Sequence, residues 1–244
     1  MPKILKQIIA LLSSLIIWQF LVFLFSSFLP SPIELARALK EGLLNGEILV
    51  NIFSSLQKVL AGFLLAAIFG IFLGLLLGYY EKIGDYIKPI IELFRAIPPI
   101  AWIPIAILVF GIGNSSAYFI VFLGAFFPIF TNTYFGVLSL PKIYRNISDS
   151  FEIKRTVFLK KILFKFSLPY IFAGLKIGMG MAWMSVIAAE LVSSQSGLGY
   201  FIQLNRLLLR TDNIVLGMLL IGLLGLLLTK ILEFAGRKAT PWIK

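Results

Sequence analysis

The sequence predicts an all-α, polytopic membrane protein, and three observations carry that prediction. The chain is 59% hydrophobic with a mean hydropathy of +0.98, beyond the range of ordinary soluble domains. Its apolar residues gather into six long runs, each long enough for a helix to cross a hydrocarbon core. Its cations, 22 Lys and Arg against 11 Asp and Glu, collect in alternate connections between those runs, as the positive-inside rule expects. The net charge of +11 therefore points to a bilayer rather than to nucleic acid. There is no basic stripe on a soluble domain and no RNA-binding aromatic signature. The whole chain, 1–244, reads as a single transmembrane domain.

Composition also excludes chemistry. With no Cys and no His, disulfides, thiolate or imidazole metal sites, Cys nucleophiles and His acid–base catalysis are all ruled out. No GxxxxGK[ST] occurs, so no phosphate-cradling loop is present. If ATP drives this protein, another subunit binds the nucleotide and its Mg²⁺, and this chain binds no cofactor.

Taken in order, the first span is 8–29. Lys3 and Lys6 precede it as in a signal peptide, but the apolar run is longer than a signal's core and no small-x-small site follows, so it reads as retained. Pro30 and Pro32 stop it. SPIELARALKEGLLNGE then predicts a short outer-surface helix whose apolar face is Ile33, Ala36, Leu39 and Leu43. The second span is 52–79. Gly70, Gly74 and Gly78 recur at every fourth residue, with Gly62 on the same face, so a neighbouring helix can approach closely there. EKIGD reads as a tight turn. The third span, 86–110, carries Glu92 and Arg95 and then Pro98-Pro99 and Pro104. Prolines remove backbone donors, and inside a membrane they are tolerated where protein or a water-filled cavity satisfies the freed carbonyls. Glu92 and Arg95, three residues apart, are placed to pair with each other. Glu92 near the inner end is also placed to snorkel, and Arg95, one turn deeper beside the break, is the better pathway candidate. The translocation candidates are thus Arg95, Pro98, Pro99, Glu92 and, at the outer end of the fifth span, Glu190.

GIGNSS is an outer turn. The fourth span, 117–138, contains Pro128, with Asn132 and Thr133 as polar inclusions. A long basic loop follows, 139–168. Within it, NISDSFEIKRTVFLKKILFKFSLP is amphipathic when read as helix, with Lys154, Lys161 and Lys165 on one stripe and Phe158, Leu159, Ile162 and Phe166 on another. Arg155 interrupts the apolar side. Two readings fit this composition: a docking element offered to a soluble partner, or a membrane-surface helix resting on anionic lipid. The fifth span, 169–192, has a second small-residue seam at Gly174 and Gly178. SSQSGLGYFIQLNRLLLRTD predicts an outer surface helix, and the sixth span is 214–234. Six spans with basic inner segments put both termini in the cytoplasm.

An ordered set of segments then points to a family: LPSP (Leu29–Pro32), Ser55–Gly62, FRAIPPIAWIPI (Phe94–Ile105), FGIGNSS (Phe110–Ser116), FFPIFTNTYFGV (Phe126–Val137), LPYIFAGLKIGMGMAW (Leu168–Trp183), AAELV (Ala188–Val192), SGLGYFI (Ser196–Ile202) and PW (Pro241–Trp242). Almost end to end, the chain resembles the membrane permease subunits of ABC importers in the nitrate/sulfonate/taurine/bicarbonate group, some members of which carry thiamine precursors or riboflavin. The resemblance implies a type I importer permease fold in a prokaryotic cytoplasmic (inner) membrane. It implies a second permease copy, ATPase subunits on the inner face and an extracytoplasmic solute-binding protein. It also implies that the basic loop is the EAA loop, whose coupling helices sit in a groove of the ATPase. The implied coupling residues are Asn146, Asp149, Glu152, Lys154, Arg155, Phe158, Leu159, Ile162 and Phe166, with docking lost when Phe158 and Ile162 are truncated. Aligned on the family pattern, its Glu-Ala-Ala falls on Asn146, Ile147 and Ser148 and its glycine on Glu152. The glycine hinge is therefore expected to be missing, with Asp149 and Glu152 instead starting a helix as a capping-box variant. Broken helices and intramembrane carboxylates also occur in ion-coupled secondary transporters, but no inverted repeat relates the two halves.

Overall fold

The computed structural model describes residues 13, 17–20, 22–24 and 29–242. The expected first span, 8–29, lies largely outside the described residues. The rest is helical: α1 Pro32–Leu44, α2 Glu47–Tyr79, α3 Glu81–Arg95, α4 Ile103–Phe110, α5 Asn114–Leu138, α6 Lys142–Ser150, α7 Arg155–Ser193, α8 Leu198–Leu207 and α9 Thr211–Ala239. Four of these, α2, α5, α7 and α9, are long and apolar enough to cross a membrane.

Helix α5 is the centre, and glycine decides what lies beside it. Gly62, Gly70, Gly74 and Gly78 of α2 face Val121, Ile129, Thr133 and Val137 of α5, with a constant offset in numbering, so the two helices run parallel. On the other flank, Gly174 and Gly178 of α7 sit against Asn132 and Ile129, and Gly124 of α5 against Ser185, so α7 runs antiparallel to α5. A Cβ at Gly74 would fall 2.7 Å from the Thr133 Cβ and 3.0 Å from the Phe130 carbonyl oxygen. In a medium where lipid is as apolar as leucine, such close backbone approach is what holds helices together. Val59, Ala66, Val121, Ala125, Ala182 and Val186 close the core between the three helices. α9 covers α7, with Trp183 packed on Gly225 and its indole N–H donating to the Ile221 carbonyl at 2.9 Å.

Because α2 and α5 run the same way, the chain between them has to cross back. That return is made by α3, the 3₁₀ turn Pro99–Trp102 and α4, and it is bent by 85°. The expected single span 86–110 is therefore two helices. Pro98 and Pro99 offer no backbone N–H, so the ladder of α3 ends at Arg95 and restarts only beyond the prolines. EKIGD is the first turn of α3 rather than a connecting turn.

Two further expectations change. In α1 the buried ridge is Leu35, Ala38 and Gly42, while Ile33, Ala36 and Leu43 are exposed. Leu35 and Ala38 face the protein with Leu39 packed beside them, as expected for Leu39, and Gly42 extends the ridge because it admits Ile48. Pro32 begins α1, where Ser31 and Glu34 form a reciprocal capping box. The fifth span begins at Arg155, not at Pro169, which lies inside α7; a π-helical turn, Phe158–Leu163, precedes it.

Candidate functional site

Three places hold the chemistry-bearing residues, one near the middle of the bundle and one at each end.

The first is the bend between α3 and α4. Arg95 is the last residue of α3, and its guanidinium donates to Thr131 Oγ1 of α5 at 3.3 Å. Glu92 does not pair with it; Glu92 lies 3.7 Å from Lys88, its neighbour one turn earlier. Among the described residues no carboxylate is within ion-pair distance of Arg95. The side chain opens on a cavity of about 250 Å³ lined by Pro99 from the bend, Gly124, Thr131 and Asn132 from α5, and Met181 from α7. Asn132 spends its amide N–H on the Pro128 carbonyl at 2.8 Å, a bond within its own helix. Pro98 is exposed beside this cavity. A cation with open donors, at a break in a membrane-crossing segment, can meet an anion that has shed its water.

The second is the end where α2 finishes, α5 finishes and α7 begins. The expected docking stripe does not face outward. Phe158 is only 6% exposed and joins Val137, Leu140 and Leu163 in a core cluster, with Leu159, Ile162 and Phe166 packed against it. These side chains fasten the start of α7 to α2 and α5. The apolar residues of the loop itself that reach the surface include Ile143, Tyr144 and Ile147 of α6, and Phe151, which is 77% exposed. The spacing of Ile143, Ile147 and Phe151 was a detectable signal, a helical i, i+4 stripe, but it is short and was overshadowed by the longer pattern after it. Asn146, Asp149, Lys154 and Arg155 are exposed around it.

Glu152 corrects a second expectation. Asp149 does not begin a helix; it lies in the last turn of α6, and Glu152 follows in the connecting turn with φ +49°. This left-handed conformation is the one glycine adopts freely. Glu152 thus holds, as a glutamate, a turn that glycine would adopt freely.

The third place is the opposite end. Glu190 and Lys58 form a buried ion pair at 3.0 Å, with side-chain exposures of 0% and 1%. Lys58 Nζ also donates to Ser194 Oγ at 2.8 Å and to the Ser196 carbonyl. All three ammonium protons are thereby used. The carboxylate accepts from Ser55 Oγ at 2.8 Å and from the Gly199 N–H at 2.9 Å. Ser55 in turn accepts from the Leu198 N–H, and Asn51 Oδ1 from the Gly197 N–H, both at 2.8 Å. One face of α2, Asn51, Ser55 and Lys58, so fixes the 194–199 loop. Gly197, at φ +112°, lies against the Glu190 carboxylate, where no side chain fits. Glu190 does not line the Arg95 cavity. Sequence reading missed Lys58 as its partner.

Comparison with known proteins agrees with this architecture. Residues 66–244 match the family described as binding-protein-dependent transport system inner membrane component. A probable ABC transporter permease of Brucella melitensis is 36% identical over 225 residues, 92% of each chain. The nitrate import permease NrtB of Synechocystis is 34% identical, covering 98% of this chain and 90% of its own. The bicarbonate transport system permease CmpB of Synechococcus elongatus is 33% identical, covering 96% and 88%. Among solved structures, an inward facing conformation of the MetNI methionine ABC transporter superposes with a TM-score of 0.67 over 82% of this chain and 98% of its own, at 19% identity, and shares the fold. With helices of membrane-crossing length, a type I importer fold and this match over most of its length, the chain belongs to the binding-protein-dependent transport system inner membrane components: it is a permease of an ABC importer.

Proposed function

We propose that this permease carries a small anion, of the class of nitrate, bicarbonate or a sulfonate, past Arg95. The observation that carries the reading is the guanidinium at the α3–α4 bend, open to a cavity and lacking a carboxylate partner among the described residues. Two relatives named for nitrate and bicarbonate support the same sign of charge. In this reading the end bearing α6 and the start of α7 is cytoplasmic, as are both termini. ATPase subunits, which hold the ATP and Mg²⁺, grip it through Ile143, Ile147 and Phe151, and a solute-binding protein docks at the opposite end. A second copy of the permease completes the path. ATP-driven closure of the ATPases then shifts the population between two packed states of the helices.

The test is ATP-dependent uptake of a labelled anion into vesicles holding the assembled transporter. Arg95→Ala is expected to lower uptake by about tenfold or more, the factor set by roughly 1.4 kcal/mol, with the amount of assembled complex unchanged. Arg95→Lys should retain part of it. Uptake by Arg95→Ala equal to that of the unaltered protein would remove Arg95 from the path.

A further inference from the structure

Beside the basic end, between the last turns of α2 and the first turns of α7, lies a groove of about 530 Å³. Its floor is apolar: Phe72, Leu75 and Leu76 from α2, Leu163 and Phe164 from α7. Phe72, Leu76 and Phe164 remain substantially exposed along it, so it is open to its surroundings. From Phe72 to Tyr80 the groove follows α2 for about 12 Å at the helical rise per residue. It runs along α2, a helix long and apolar enough to cross a membrane, so a bilayer is the surrounding that its exposed apolar side chains fit.

The mouth of the groove is different. Tyr79 and Tyr80 stand there edge to face, with centroids 5.1 Å apart, as aromatic residues do at the level of lipid headgroups. Among the described residues Lys160 is the one charged residue of the lining. Arg155 lies over the same tyrosines, 5.0 Å from the Tyr79 centroid and 5.5 Å from that of Tyr80, and donates to the Tyr80 hydroxyl at 3.0 Å. Among the described residues neither cation has a carboxylate within ion-pair distance. Asp149 shares a separate polar cavity with Arg155 on the other side of the tyrosines, and Glu81, next to Tyr80 in sequence, is taken by Arg145 at 2.8 Å.

We infer that this groove is a site for one anionic phospholipid, with an acyl chain along Phe72, Leu76 and Phe164 and the phosphate at the mouth beside Lys160. The juxtaposition selects an amphiphile. An apolar solute leaves Lys160 unanswered, and a free phosphate leaves the groove unfilled. A zwitterionic lipid brings its own cation to a mouth that already holds Lys160. The inference is independent of the anion proposed above as cargo; it draws on the orientation proposed there only for which leaflet supplies the lipid.

The experiment uses the full-length permease in a neutral detergent, its thermal midpoint followed with added phosphatidylglycerol, phosphatidylcholine or glycerol 3-phosphate. Native mass spectrometry of the same samples counts the lipid that stays bound. Phosphatidylglycerol is expected to raise the midpoint by a few degrees and to be retained, and the other two are expected to do neither. Lys160→Glu, at an exposed side chain without an ion pair, and Leu76→Trp, which fills the groove, should each keep the starting midpoint and lose the shift. Equal shifts from both phospholipids would overturn the inference. So would a shift from glycerol 3-phosphate alone, or persistence of the shift in both variants. If another protein segment or a second copy fills the groove, no lipid is retained and Leu76→Trp lowers the starting midpoint. The unaltered protein decides the matter by retained mass even where a variant does not fold.

Discussion

Removing Lys58 tests the reading of the buried pair most directly. Lys58 and Glu190 lie 3.0 Å apart with almost no exposure. At an effective dielectric of about 20, two unit charges at that distance attract by roughly 5–6 kcal/mol. In Lys58→Met the carboxylate keeps its bonds from Ser55 and from the Gly199 N–H but loses its counter-charge. Ser194 and the Ser196 carbonyl lose their donor at the same moment. A buried charge stripped of its partner costs about 3–5 kcal/mol. For a domain of this length that corresponds to a fall in thermal midpoint of roughly 6–20 °C. Lys58→Met/Glu190→Gln removes both charges while leaving an amide to accept from Ser55 and Gly199, so most of the loss should return. The assay is the midpoint of the detergent-solubilised protein, followed by loss of the monodisperse peak in size-exclusion chromatography. A single variant as stable as the parent refutes the reasoning, because Lys58 would then be dispensable to the 194–199 loop. A double variant no better than the single refutes it too, since the cost would lie in lost packing rather than in the orphaned charge.

Three further outcomes follow from contacts at single residues. Gly74→Leu should cost about 1–3 kcal/mol by overpacking α2 against Thr133 and the Phe130 carbonyl, whereas Gly180→Leu, with nothing near its Cβ, should be neutral; the yield of folded protein compares them. Glu152→Gly should stabilise the α6–α7 turn by about 0.5–1 kcal/mol, because glycine relieves the left-handed φ of +49° at some cost in chain entropy, and slower proteolysis at that turn reports it. The Ser31 backbone N–H and hydroxyl hold the Glu34 carboxyl below its ordinary value, so the N-terminal cap of α1 is strongest above that value and weakens as pH falls through the lowered one; amide exchange in the first turn of α1, compared with Ser31→Ala, measures this.

The membrane class and the apolar runs were legible because the bilayer writes them directly into hydropathy. Helix limits were less so. α2 starts at Glu47, α5 at Asn114, α7 at Arg155 and α9 at Thr211, each ahead of its apolar run. Hydropathy marks the stretch that tolerates hydrocarbon, whereas hydrogen bonding carries a helix on into polar surroundings. The glycine spacing of α2 showed that some helix comes close, but not that it is α5 running parallel. Lys58 was hidden for a related reason. At the edge of an apolar run a lysine looks like a snorkelling anchor, and its partner lies 132 residues away. The stripe Phe158, Leu159, Ile162 and Phe166 was visible as a pattern, yet a pattern does not say which surface it meets; here it meets α2 and α5. Glu152 shows the converse. The letter departs from glycine, and the backbone keeps glycine's conformation.

These corrections bear together on α7, the helix that runs from the basic end to the opposite one. At its far end the carboxylate of Glu190 is bound by a cation, a hydroxyl and a backbone N–H, a set of directional bonds that permits one geometry. At its near end a single exposed side-chain bond, from Arg155 to the Tyr80 hydroxyl, stands beside an otherwise apolar attachment through Phe158 and Leu163, and the helix there is wound as a π turn behind the left-handed Glu152. Apolar contacts are non-directional, and a π turn stands one residue away from regular α winding. A displacement applied at α6 therefore has a soft joint to act on before it reaches a rigid rod, and the rod ends in a fixed pivot. In the reading proposed above, with ATPases at α6 and a solute-binding protein at the opposite end, that distribution is needed, since a helix free at both ends would transmit nothing and one fixed at both would not move.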